Sequence, residues 1–403
     1  MSAPARRAPG FAEFVALLAM LFATIAFSID AMLPALPRIA GELAPGAPNR
    51  AQLIITTFVL GMGVGTLFMG PISDAVGRRP VIVGSLSLYI AAALVAGRAG
   101  SLELLLAARF VQGLGAAGPR TVTLAMVRDL YAGRAMARVM SIVLTVFLVV
   151  PAVAPSIGAG IIALSGWRGV FMAFVVFGLF SGSWLMLRQP ETLPPDRRRA
   201  LGLAPIVAAM REVFGSRVTL IYIAALSLGF GQMFGFISTL PQIFDEVFHR
   251  SAGFPLWFAG LAGFGALSSM SNAALVMRLG MRRLATTAFA VQVTAAAAML
   301  AVHSGLGLAG FAPFYVWMIV SFFCIGLTFG NLNALAMEPM GHIAGLAAAV
   351  IGSVSTIGAV LIAVPIGLSY DGSVRPLVAA VLICSSLALM LMLSARRQVP
   401  AAA

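Results

Sequence analysis

GPISDAVGRRP, residues 70–80, joins two long apolar runs and holds an acid, a glycine and two arginines within a few positions. Pro71 and Gly77 each disfavour continued helix, so the stretch reads as a tight connection between two helices. A membrane span needs about 20 apolar residues, and the runs on either side are long enough. The same reading carried outward gives spans near 11–33, 51–69, 81–97, 102–127, 135–162 and 167–187. A second set falls near 218–240, 254–277, 284–302, 311–337, 342–368 and 374–393. The expected fold class is therefore an all-α membrane protein of twelve transmembrane helices.

Composition agrees. Of 403 residues, 61% are hydrophobic and 10% charged, with a mean hydropathy of +1.02. Soluble domains carry about a quarter charged residues, so the chain belongs with polytopic membrane proteins. The first apolar run is too long for a cleavable signal and lacks a small-residue cleavage site.

A net charge of +13 would suggest nucleic acid in a soluble protein; here it reads as topology. All 26 basic residues are arginine. With the N-terminus inside, Arg6, Arg7, Arg78, Arg79, Arg128, Arg134, Arg138, Arg188, Arg197 to Arg199, Arg211, Arg217, Arg278, Arg282, Arg283, Arg396 and Arg397 fall on one side. Only Arg38, Arg50, Arg98, Arg168, Arg250 and Arg375 fall on the other, and Arg109 and Arg120 lie within a span. The positive-inside rule then places both termini in the cytoplasm.

The one long polar stretch, 188–217, is basic and proline-rich, with an amphipathic piece near 206–213. It divides the chain into an N-terminal six-helix bundle (1–187), a cytoplasmic linker (188–217) and a C-terminal six-helix bundle (218–403). MRLGMRR, residues 277–283, echoes the first loop: Gly280 stands for Gly77 and Arg282 for Arg79, with Met277 where Asp74 is. Two parallel repeats leave such a trace, so the bundles are expected to be pseudo-symmetric.

Charges inside spans are costly and mark function. Asp30 and Arg109 sit at similar depths, and no other acid lies deep in a span, so if a proton crosses by a carboxylate, Asp30 is the candidate carrier. Arg120, eleven residues beyond Arg109, is expected to bond a carbonyl or a substrate, or to snorkel inward. Arg128, Asp129 and Arg134 follow the fourth span; with Asp74, Arg78 and Arg79 they could form a network that gates the cytoplasmic end. Pro151 and Pro155 should bend the fifth span. In the second half Gln232, Met233, Phe236 and Asn331 are expected along a cavity, a Met- and Phe-lined surface suiting a lipophilic substrate.

Cys324 and Cys384 sit in separate spans, and His249, His303 and His342 have no partner at ligand spacing, so no metal is expected. Residues 113–118 contain G-x-G-x-x-G, but within a long apolar run rather than between a strand and a helix, which excludes a dinucleotide fingerprint. H-E-x-x-H and G-x-S-x-G are absent, which disfavours an enzyme.

These features resemble the major facilitator superfamily of transporters. Gly70, Asp74, Gly77, Arg78 and Arg79 match its loop signature G-x-x-x-D-(R/K)-x-G-R-(R/K), with Ala75 for the basic residue. Arg109, Gln112, Gly113, Gly115, Ala116 and Ala117 match the fourth-helix motif R-x-x-Q-G-x-G-A-A. Pro155 and Gly158 match the end of the antiporter motif G-P-x-x-G-G, with alanine at flanking positions. SIDAMLPALP, residues 28–37, with the loop most resembles the Bcr/CflA-type drug:proton antiporters.

The resemblance implies alternating access between the bundles and proton-coupled efflux of small hydrophobic drugs or metabolites from a bacterial-type inner membrane. It implies proton coupling at Asp30 and Arg109, a cavity touched by Gln112, and bending at Gly113, Pro151, Pro155 and Gly158. The expected partners are a small-molecule substrate, protons and lipid, with no nucleic acid, no cofactor and a monomeric state. Some such antiporters carry a second acid two turns earlier; that position is Phe22 here. The alternatives are a proton-coupled nutrient importer of the same fold and a non-transporting membrane sensor.

Overall fold

A chain crossing hydrocarbon must satisfy its own amides, and apolar runs of this length do so as helices. The computed structural model describes residues 9–306 and 310–396. Arg6, Arg7 and Arg397 lie outside the described residues. The first half holds α1 (Phe11–Asp30), a short α2 (Leu36–Leu43), α3 (Leu53–Val76), α4 (Arg78–Gly97), α5 (Leu102–Leu130), α6 (Gly133–Ser165) and α7 (Arg168–Arg188). The linker forms α8 (Ala204–Gly215). The second half holds α9 (Arg217–Gln242), α10 (Phe254–Leu279), α11 (Met281–Leu306), α12 (Phe311–Met337), α13 (Ala344–Leu368) and α14 (Arg375–Arg396).

Nine stretches among the described residues are long and apolar enough to cross a membrane, and two of them, Gly133–Arg188 and Phe311–Leu368, each contain two long helices. α5 is not among the nine; Arg109 and Arg120 lower its hydropathy.

The loop at 70–80 is shorter than its sequence suggests. α3 continues through Gly70 and Pro71 as far as Val76. A proline here forfeits one bond near the end of a 24-residue helix, a local defect that neighbouring helices can absorb. Gly77 alone breaks the chain, at φ 116°, and α4 begins at the next residue. Gly280 turns α10 into α11 in the same way, at φ 79°. Both angles are open to glycine and costly to other residues, so the echo in the sequence is an echo in the backbone.

α3 packs on α5 within its own half and on α13 of the other; α6 packs on α10. Those two helix pairs make up most of the seam between the halves. Lipid gives helices no hydrophobic reason to associate, so contact relies on close approach past small residues. Gly61 and Gly65 of α3 let α5 in, and Gly113 of α5 lies against the Phe58 carbonyl. Gly158 of α6 lies against the Ala31 carbonyl, where α1 ends. Gly113 and Gly158, expected as bending points, are thus points of contact, and α6 is one helix through Pro151 and Pro155. α8 buries Ile206, Ala209 and Val213 and rests on α9 and α13, which ties the linker to the second half.

Candidate functional site

Arg109 is fully buried and is the largest such side chain among the described residues. Its fork reaches three helices. Nε donates to the Ile54 carbonyl of α3 at 3.2 Å, Nη2 to the Ser28 carbonyl of α1 at 3.1 Å, and Nη1 to Gln112 Oε1 at 2.7 Å. The guanidinium also lies 4.3 Å from the centre of the Phe58 ring, a cation–π contact. Ser28 in turn shares a 2.5 Å hydrogen bond with the Tyr89 hydroxyl of α4. One cation therefore knots α1, α3 and α5, and a hydroxyl pair adds α4. Gln112, expected on the cavity, is fully buried, and its Nε2 has no hydrogen-bond partner.

Asp30 is also buried, at 4% exposure, and among the described residues its carboxyl has no hydrogen-bond or ion-pair partner. It does not pair with Arg109. The reason is helical geometry: two residues beyond Ser28 means roughly 200° around α1, so the face that meets Arg109 is not the face that carries Asp30. The sequence places both charges at one depth; the turn of the helix keeps them apart.

At the end of the molecule carrying Gly77, Arg78 is the hub. It donates to Asp74 Oδ1 at 2.5 Å, Ser73 Oγ at 2.8 Å and Asp129 Oδ2 at 2.9 Å. The Glu191 carboxylate accepts from the backbone amides of Arg78 and Arg79, at 2.9 and 3.0 Å. It thereby covers the positive end of α4, the usual place for an acid at a helix start. Arg79 donates to the Met186 carbonyl, and Thr192 to Asp129. Arg128 and Arg134 are exposed and make no ion pair among the described residues. The network lies wholly within the first half and the linker, and Asp74 makes no ion pair across to α13.

The second half has its own knot, without a charge. Gln232 of α9 donates to Gln292 Oε1 of α11 at 3.0 Å, Gln292 donates to the Ser321 carbonyl of α12 at 3.2 Å, and Ser385 Oγ of α14 donates to Gln232 Oε1 at 3.0 Å. Gln232, expected to line a cavity, is fully buried in this knot because its amide is satisfied only there. Phe236 is likewise fully buried, packed on Trp317 and Phe322. Asn331 is 3% exposed and donates to Asn272 of α10 at 2.6 Å. Met233 keeps part of its surface open.

The far end of the molecule is where the halves are joined by polar groups. Gln52 donates to Gln242 Oε1 at 2.9 Å and accepts from Thr239 at 3.0 Å. Gln242 donates to Asn49 Oδ1 at 3.1 Å, and Asn49 to the Tyr370 carbonyl at 2.7 Å. Among the described residues every side-chain hydrogen bond between the halves lies here. A cleft of about 440 Å³ opens beside it, lined by Asn49, Arg50, Gln242, Glu246 and Tyr370 among others. Burial, with Glu246, Asp371 and Asp245 nearby, pushes the Tyr370 phenol above its ordinary range, so it stays neutral. Nothing in the sequence singles out these glutamines and asparagines; they stand at helix ends, 187 to 321 positions from their partners.

The sequence profile of the Major Facilitator Superfamily matches residues 16–363. An "Uncharacterized MFS-type transporter YdgK" of Bacillus subtilis is 28% identical, over 83% of this chain and 84% of its own length. A "Bicyclomycin resistance protein homolog" of Haemophilus influenzae is 29% identical over 86% of this chain and 87% of its own. A "Chloramphenicol resistance protein" of Pseudomonas aeruginosa is 30% identical over 84% and 80%. Among solved structures, a D-xylose–proton symporter superposes with a TM-score of 0.76 at 13% identity, covering 96% of this chain and 98% of that one.

Proposed function

Because the chain belongs to the major facilitator superfamily, we propose that it is a secondary transporter coupling inward proton movement to export of small lipophilic molecules. Twelve helices cross a bacterial inner membrane as two six-helix bundles, residues 1–187 and 218–403, with the 188–217 linker and both termini in the cytoplasm. The protein works as a monomer, needs no cofactor, and alternates access between the bundles.

One observation carries the coupling: Asp30 is a buried carboxyl with no partner. Isolated charge is expensive in such a place. A carboxyl free of any ion pair can exchange its proton with water on whichever side opens. Arg109 supports this by holding α1 at the Ser28 carbonyl, two residues from Asp30. The polar links at the far end, with none among the described residues between the halves at the Arg78 end, favour an inward-facing state for this conformation. One proton crossing 100 mV supplies about 2.3 kcal/mol, enough for a roughly fortyfold gradient of an uncharged substrate. Relatives named for chloramphenicol and bicyclomycin resistance favour export over import.

The test is drug susceptibility of an exporter-deficient bacterium expressing wild type or Asp30→Asn, with proton-driven accumulation in everted vesicles. Wild type should raise resistance to a panel including chloramphenicol, and Asp30→Asn should lose both resistance and accumulation at equal expression. Accumulation at full rate in Asp30→Asn would remove the coupling assignment.

A further inference from the structure

Proton exchange at Asp30 gives no work to Arg120, the second deep cation of α5. Its sequence allows it to snorkel toward the Arg78 end or to bond a carbonyl, and it does neither. Nη1 lies 4.0 Å from the Met62 thioether of α3. Met62 is level with Gly113, whose face touches the Met62 amide. The side chain therefore runs back along α5, toward its start, as helical side chains lean. Its charge is drawn to the middle of the span rather than out of it.

No carboxylate among the described residues pairs with Arg120. Arg109 is committed to two carbonyls and Gln112, whereas the one polar contact of Arg120 is to a soft sulfur. Arg120 is only half-buried, as are Thr121 and Leu124 beside it on α5. The next residue after Met62, Gly63, meets Thr356 and Ile357 of α13 at the seam between the halves. A guanidinium at mid-span, beside the seam and among apolar neighbours, has no counter-ion among the described residues.

We propose that Arg120 takes that counter-ion from the transported molecule, so that the preferred substrates are lipophilic organic anions carrying a carboxylate or sulfonate. The planar fork matches two oxygens of such a group, while Met62 and Leu124 suit an apolar body. This rests on the transporter reading and narrows it. Anion export and proton import move charge in the same sense, so each cycle draws more on the membrane potential than export of a neutral drug would.

Purified full-length protein in detergent, then in proteoliposomes, is given three tritiated probes: naphthalene-1-sulfonate, naphthalene-1-sulfonamide and 1-naphthylmethylammonium. Wild type should bind the sulfonate at least about tenfold more tightly than either other probe. Arg120→Gln should abolish that preference while leaving sulfonamide binding within about twofold, and Arg120→Lys should keep part of it. The wild-type comparison stands whether or not the variants fold. Lack of saturable sulfonate binding, equal binding of the three probes, or a preference that survives in folded Arg120→Gln overturns the proposal. Uptake under an imposed proton gradient separates the two readings: a sulfonate preference without proton-driven movement of any probe keeps the anion site and sinks the transporter assignment.

Discussion

Arg109 shows how much one side chain can organise, and at what cost. A buried charge with no acid beside it carries a desolvation penalty of several kcal/mol, offset by charged hydrogen bonds worth about 1.5–3 kcal/mol each. Lysine would keep the charge but lose the fork that spans Ile54, Ser28 and Gln112. Glutamine would remove the charge as well as the fork. Arg109→Lys should therefore be the less stable of the two, by about 2–4 kcal/mol relative to wild type, and both should lose transport. Thermal unfolding of the detergent-solubilised variants measures the order, and equal stability of Lys and Gln would show that the charge is not desolvated. That Asp30 and Arg109 are both buried was legible from their positions in apolar runs. That they do not meet was not, because depth counts residues along an axis while contact depends on the angle around it.

At the scale of helices, stability turns on where small residues face. A β-carbon at Gly113 would fall on the Phe58 carbonyl, whereas one at Gly160 of α6 meets nothing within 4 Å. Gly113→Val should destabilise by about 1–3 kcal/mol or more, since backbone cannot yield as a side chain can. Gly160→Ala should be neutral or stabilising by up to about 1 kcal/mol through helix propensity. Melting temperatures of the two variants test the contrast, and a tolerated Gly113→Val would mean that α3 and α5 are free to separate. The sequence marks Gly113 by its motif, but not the helix that its face meets. The Gly77 and Gly280 breaks, by contrast, were readable, because the turn demands the residue wherever the neighbours lie. Glu191 was hidden for the opposite reason: it serves amides more than 100 positions away.

For the whole molecule, the balance between conformations rests on neutral hydrogen bonds at the far end. Gln242→Leu removes the links to Gln52 and Asn49, each worth about 0.5–1.5 kcal/mol. The population should move toward an open far end by roughly fivefold to a hundredfold. Spin labels at Ser369 and Ala47 report it as a longer distance component in Gln242→Leu. An unchanged distribution would assign closure to the apolar seam of α3 and α13 instead.

The sequence by itself determined the solvent, the all-helical class and the break at Gly77 with its repeat at Gly280. Each follows from local composition, which one strand of text carries completely. Only the tertiary structure decided which charges are paired. It withdrew Gln232, Phe236 and Asn331 into the second bundle, left Asp30 and Arg120 without an ion-pair partner among the described residues, and closed the far end through residues of no visible distinction. Those outcomes depend on the rotation of one helix against another, which composition does not encode.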